Sequence, residues 1–242
     1  MSTRLDPDYA KQAAELWQGD TEFVVFDTET TDMLKSPTGY VMQIAARRYR
    51  VDDAGNIRLI KEMNRLINDP VINKQTLSSF ERDGKPGAFE THHISITDIR
   101  RKGLPPKQVW GEFRDITRNA TLVGQNIIGF DIPYVNRELK RNGFRTHLNE
   151  MRSIDTVIVA RHLWSRQSYK LFELADFLGV RYDKTKLHDA LTDIELTWGV
   201  WLAIWEKALK AHAYQFFRGT PNQYKRQLPG LAPTWLDSSV AA

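Results

Sequence analysis

Four large apolar residues in a row, Phe23-Val24-Val25-Phe26, run directly into Asp27-Thr28-Glu29-Thr30-Thr31. Side chains on a strand point alternately to its two faces, so a strand that is apolar at consecutive positions must be covered on both. β-branched and aromatic residues in a short run bounded by polar ones favour the extended backbone. The chain is therefore committed to a buried central strand with a packing layer on each side. At the end of that strand Asp27 and Glu29 project to the same side, one pleat apart.

The remaining pattern supplies those layers. Tyr40 to Val51 alternates, meets the turn cluster Asp52 to Asn56, and continues from Ile57 to Ile67, which reads as a hairpin. The stretch 68–90 reads as loop. A helix is expected from Pro106 to about Arg118, then a short strand from Thr121 to Gly124, then a helix from Ile132 to Asn142 closed by Gly143. Ile154 to Trp164 and Tyr169 to Leu178 read as two further helices, the second ended by Gly179. The last long helix runs from Ala190 to about His212, and the spacing of Trp198, Trp201 and Trp205 on it predicts core packing, not a ligand box. Strands and helices alternate after the hairpin, so the fold class is α/β, a mixed sheet with helices on both faces. Residues 6–18 carry a helix signal, Asp6 then Pro7 before an apolar face. The division expected is an N-terminal helical extension over 1–20, one domain over 21–212, and a basic, aromatic extension over 213–242.

Composition narrows the chemistry. The chain of 242 residues has no cysteine, which excludes disulfides, zinc-thiolate sites and thiol nucleophiles. The first residues lack the apolar stretch of a signal peptide, and the most apolar run, Trp198 to Trp205, is too short to span a bilayer, so a soluble cytoplasmic protein without a membrane partner is expected. The net charge of +4 is mild, but basic residues cluster at Arg47, Arg48 and Arg50, at Arg100, Arg101 and Lys102, and at Arg137, Lys140, Arg141 and Arg145. Each cluster alone reads as solvated surface; they become a surface for phosphates only beside an independently established phosphate site.

Three patches carry chemistry. Two carboxylates at the end of a buried strand repel each other, and a divalent cation between them removes the penalty, with hard oxygen ligands suited to Mg²⁺ or Mn²⁺. A second patch, Asn126-Ile127-Ile128-Gly129-Phe130-Asp131, follows the short strand and opens a helix that Asp131 could cap. A third, His188-Asp189-Ala190-Leu191-Thr192-Asp193, opens the last helix, with Asp189 as its cap and Asp193 in the first turns. Asp155, after an apolar patch, reads as the cap of the helix starting near Thr156.

Taken together, the strand ending D-x-E-T-T at Asp27 to Thr31, the N-x-x-x-F-D of Asn126 to Asp131 and the H-x-x-x-x-D of His188 and Asp193 resemble the DEDDh-type exonucleases, the proofreading family of the ribonuclease H-like superfamily. Gln43 to Ala46, Thr91 to Ser95, Ile154 to Thr156 and Leu171 to Val180 look like further landmarks, and the resemblance covers about residues 21–205. It implies a ribonuclease H-like mixed sheet of about five strands and a 3′–5′ exonuclease releasing nucleoside 5′-monophosphates, with DNA favoured over RNA.

By the same resemblance, Asp27, Glu29 and Asp193 bind one metal, Asp27 bridges to a second, and Asp131 acts on the second through water, with two ions about 4 Å apart. His188 is the implied general base. Thr28, Thr30, His92, Phe130 and Asn126 are the implied substrate contacts, Phe130 by packing on a base. Two positions depart from the family pattern: Asp32 stands where Gly often follows E-T-T, and His93 where a glycine is usual. The implied partners are a nucleic-acid 3′ end, single-stranded DNA first and RNA second, together with a DNA polymerase or a sliding clamp. Gln227 to Leu231 faintly resembles clamp-docking peptides. The competing reading is a catalytically silent exonuclease-like module that only binds nucleic acid or a polymerase.

Overall fold

β1 (Glu22–Thr30) is the centre of the molecule, and its side chains divide as the sequence requires. Phe23 and Val25 enter one apolar layer, Val24 and Phe26 the other, and none of the four is more than 1 % exposed. This computed structural model describes residues 22–32, 39–52, 56–74, 76, 92–149, 153–183 and 190–210. The expected N-terminal helix, the 213–242 extension, most of the 68–90 loop, and both His188 and Asp189 lie outside the described residues.

β1 pairs antiparallel with β2 (Val41–Val51), and β2 pairs antiparallel with β3 (Ile57–Leu66), which is the predicted hairpin. On its other side β1 pairs in parallel with β4 (Thr121–Gly124), and β4 in parallel with β5 (Ser153–Asp155), giving the order β3-β2-β1-β4-β5. The expected mixed sheet of five strands is present. The fifth strand, however, lies where the sequence suggests helix: Ser153 to Asp155 pairs with Leu122 to Gly124, and the helix begins two residues later than expected. Three residues are too few to show an alternation, so this strand exists through its neighbour and not through a local pattern.

Six helices are found among the described residues. α1 (Ile96–Lys102) is capped by Ser95, whose Oγ accepts the N–H of Asp98 at 3.0 Å. α2 (Pro106–Thr117) starts on proline and sends Val109, Trp110, Phe113 and Ile116 into the layer beneath Val24 and Phe26. α3 (Asp131–Arg141) adds Ile132, Val135 and Leu139 to that layer. Across the sheet lie α4 (Thr156–Leu163), α5 (Leu171–Leu178) and α6 (Ala190–Lys210). α5 starts later than expected because Tyr169 is used as a tie: its hydroxyl donates to the Trp164 carbonyl and accepts the Arg166 N–H. It ends at Gly179 in the left-handed conformation, φ 73°, as the sequence indicates.

α6 is fastened by its tryptophans, in line with the core packing expected of them. The Trp198 ring stacks on Tyr49 with centroids 4.5 Å apart, Phe23 packs against both Trp198 and Trp205, and Trp201 stacks on Trp205 at 5.5 Å. No described helix is long and apolar enough to cross a membrane.

Candidate active site

The alternation that sends Phe23 and Val25 toward α6 continues to Asp27 and Glu29, so both carboxylates lie on the α6 side of the sheet where β1 leaves the core. Asp193 sits in the first turn of α6 and Asp131 is the first residue of α3. These four side chains come within electrostatic reach of one another. Burial raises the Asp27 carboxyl well above the usual range, and the charges of Asp131, Glu29 and Asp193 push it further. Burial, then Asp193 and Asp131, bring Glu29 up to about 8. Residues 166 positions apart in the chain thus share one acidic pocket.

Asp131 is anchored by β1 itself. Its Oδ1 accepts both the backbone N–H of Thr28 at 3.0 Å and the Thr28 hydroxyl at 2.6 Å. This corrects the reading of Asp131 as a helix cap: Phe130 occupies the capping position, and the carboxylate turns to the strand instead. Asp131 is 3 % exposed, and burial takes its pKa to about 7 even though the Thr28 donors favour the anion.

The donor set is right in kind for a hard divalent cation, four carboxylates and no sulfur. Among the described residues no three acidic or imidazole groups are yet gathered as closely as a finished metal cage requires. The pocket is therefore a set of mutually repelling acids, whose repulsion is relieved either by protons or by a cation.

The other expected contacts are distributed as follows. Thr30 is buried and donates its hydroxyl to the Asp32 carbonyl at 2.8 Å. The buried His92 ring accepts the N–H of Ile94 on Nδ1, which places its proton on Nε2, and burial lowers its pKa to about 4, so the ring is neutral. Phe130 is half-buried with its ring 5.1 Å from that of Tyr134. Asn126 is exposed at the turn entering the motif, with φ 57°. His93, the departure from the family's glycine, holds φ 55°, so the loop keeps a left-handed backbone that glycine would adopt at less cost. Asp32, the other departure, offers its carbonyl to Thr30 and to the Tyr134 hydroxyl, which closes the turn that glycine often makes.

Sequence reasoning missed a clamp on α3. Tyr134 donates to the Asp32 carbonyl, Arg137 reaches the Gly39 carbonyl, and Arg141 lies over the Tyr40 ring at 4.9 Å. The spacing of 134, 137 and 141 along one helix face was the available signal. The basic clusters are largely consumed within the fold. Arg47 meets Glu62 and Glu195, Arg48 and Arg50 share Glu22, Arg100 reaches Asn68 and the carbonyls of Asp69 and Ile72, Arg101 and Lys102 meet Asp98, and Arg141 joins Asp69 to Glu138.

A five-stranded mixed sheet with acids converging at the exit of its central strand is a ribonuclease H-like arrangement. The sequence model of the RNase T family, described as exonuclease, matches residues 24–200, well over half the chain, and the chain belongs to this family of DEDDh-type exonucleases. Over 179 residues it is 31 % identical to the PolC-type DNA polymerase III of Pediococcus pentosaceus, covering 73 % of this chain and 11 % of that protein. It is 27 % identical over 181 residues to the DNA polymerase III subunit epsilon of Haemophilus influenzae, covering 74 % of this chain and 65 % of that one. The chain thus spans less than two thirds of the length of either relative. Among solved structures, E. coli exonuclease I in complex with a dT13 oligonucleotide superposes with a TM-score of 0.59 at 18 % identity, over 81 % of this chain and 43 % of that one, which shows the shared fold.

Proposed function

We propose that this protein is a 3′–5′ exonuclease that removes nucleoside 5′-monophosphates from DNA ends with two Mg²⁺ or Mn²⁺ ions. The observation that carries the reading is the convergence of Asp27, Glu29, Asp131 and Asp193 in one acidic, half-buried pocket. In that reading Asp27, Glu29 and Asp193 hold one ion and Asp131 serves the second. Bound there, the ions supply a polarised phosphate, a more acidic water and a stabilised leaving oxygen.

The chain's own groups do the rest. Thr28 fixes the orientation of Asp131 through two hydrogen bonds, so that acid is positioned before substrate arrives. His188 takes the proton of the attacking water, a role suited to an imidazole near neutral pH. The half-buried Phe130 offers a ring on which any base can stack. The neutral His92 contacts the sugar or base of the terminal nucleotide. DNA as the favoured substrate and a DNA polymerase as partner are supported by the names of the relatives, which are DNA polymerase III proteins, and single strands by the dT13 oligonucleotide bound to the exonuclease I neighbour.

Digestion of matched DNA and RNA oligonucleotides labelled at the 3′ or the 5′ end, with Mg²⁺ and with EDTA, tests the proposal. Metal-dependent release of mononucleotides from 3′ ends, faster on DNA, is expected. Binding without cleavage in the presence of Mg²⁺ or Mn²⁺ would establish the silent-module reading instead.

A further inference from the structure

Asp155 is a buried acid outside the four, 2 % exposed, and it makes more backbone hydrogen bonds than a helix cap needs. Its Oδ1 accepts the N–H groups of Val157 at 3.0 Å and Ile158 at 3.3 Å, which is ordinary capping of α4. The same oxygen accepts the N–H of Asn126 at 3.2 Å, and Oδ2 accepts the N–H of Ile128 at 3.1 Å. Those last two amides belong to the turn that ends in Asp131.

That turn is tightly wound. Asn126 sits at φ 57°, its carbonyl accepts from both Gly129 and Phe130, and a Cβ on Gly129 would come within 2.7 Å of the Asn126 side chain. Register places Asp155 beside Gly124, at the point where β4 gives way to the turn. Thr156 reinforces the same corner, donating its hydroxyl toward the Gly124 carbonyl and the Gln125 side chain. One carboxylate therefore ties the end of β5 and the start of α4 to the loop that delivers Asp131 onto Thr28. A charged acceptor is needed, since a carboxylate can serve four N–H donors where a carboxamide oxygen cannot.

We infer that Asp155 is a positioning residue for the reaction: it holds the Asn126–Asp131 turn so that Asp131 meets Thr28 in the acidic pocket. The inference rests on the exonuclease reading for its kinetic consequence but not for its structural one. Two variants separate capping from cross-linking. In Asp155→Ser the hydroxyl still caps α4 but is too short to reach the turn. In Asp155→Asn the oxygen can keep the Oδ1 donors while Ile128 loses its acceptor.

The experiment is amide hydrogen exchange on both folded variants without metal, together with steady-state cleavage of a single-stranded DNA oligonucleotide over a Mn²⁺ titration. Exchange at Asn126 and Ile128 is expected to quicken at least tenfold in Asp155→Ser and at Ile128 alone in Asp155→Asn, with Val157 and Ile158 unchanged. kcat is expected to fall about 10- to 100-fold and the half-saturating Mn²⁺ concentration to rise several-fold, with KM for the oligonucleotide within about twofold. A cap alone would leave Asn126 and Ile128 protected and the Mn²⁺ dependence unmoved in both variants, and that result overturns the inference. If wild-type protein cleaves nothing, the exonuclease reading fails by itself, while the exchange pattern still decides whether Asp155 holds the turn. If Asp155→Ser does not fold, the Ile128 exchange rate in Asp155→Asn decides in the same way.

Discussion

Thr28 and Asp131 are 103 residues apart, yet the first donates to the second twice, through its backbone N–H and its hydroxyl. Hydrogen bonds to a charged acceptor contribute about 1.5–3 kcal/mol each, so Thr28→Val, which keeps the shape and loses the hydroxyl, should destabilise the protein by about 1–3 kcal/mol in urea unfolding. It should also lower kcat, because Asp131 loses the hydroxyl donor that helps fix its orientation. Asp27→Ala and Asp193→Ala should abolish cleavage while circular dichroism stays that of the wild type; near wild-type activity in either would discard the roles given to them. Strand alternation placed Asp27 and Glu29 on one side of β1, and the resemblance to the exonuclease family joined Asp131 and Asp193 to them. The sequence did not reveal that Asp131 is held by Thr28, nor that Asp155 reaches back across the turn, because a long-range hydrogen bond leaves no periodicity and a capping aspartate looks the same whether it serves two donors or four.

At the scale of elements, β1 and the hairpin were readable from apolar runs and turn residues, and α2, α3 and α6 from their apolar stripes. β5 was not, for it consists of three residues recruited by pairing with β4. α6 matters most to the site, because its first turn carries Asp193 while its later turns are fastened to the sheet through Trp198, Trp201 and Trp205. Trp198 fills the gap between Phe23 and Tyr49, so Trp198→Ala should cost about 3–5 kcal/mol of stability, as large-to-small changes in cores do. Thermal or urea unfolding checks the figure. A loss below about 1 kcal/mol would mean that α6 is held by something other than this stack.

For the whole molecule, the acidic pocket links stability to pH and to metal. Burial, with mutual repulsion added, raises Asp27 strongly and Glu29 to about 8, and burial raises Asp131 to about 7. In the unfolded chain these groups titrate near about 4. The folded, metal-free protein therefore binds more protons than the unfolded one across that interval, so its stability is intact below about pH 4 on this account and is lost as pH rises through about 7 and 8. The melting temperature measured in EDTA should fall between pH 5 and pH 8, and Mg²⁺ at about 100 times its Kd should restore about 2.7 kcal/mol at pH 8. A melting temperature that rises over that range in EDTA would contradict the placement of the carboxylates.

Whether this pocket seats divalent ions is decided by a crystal soaked in Mn²⁺, through the metal's anomalous scattering. A peak bounded by Asp27, Glu29 and Asp193 is expected, with a second on the Asp131 side. Peaks elsewhere, or none at the end of the central strand, would contradict that expectation.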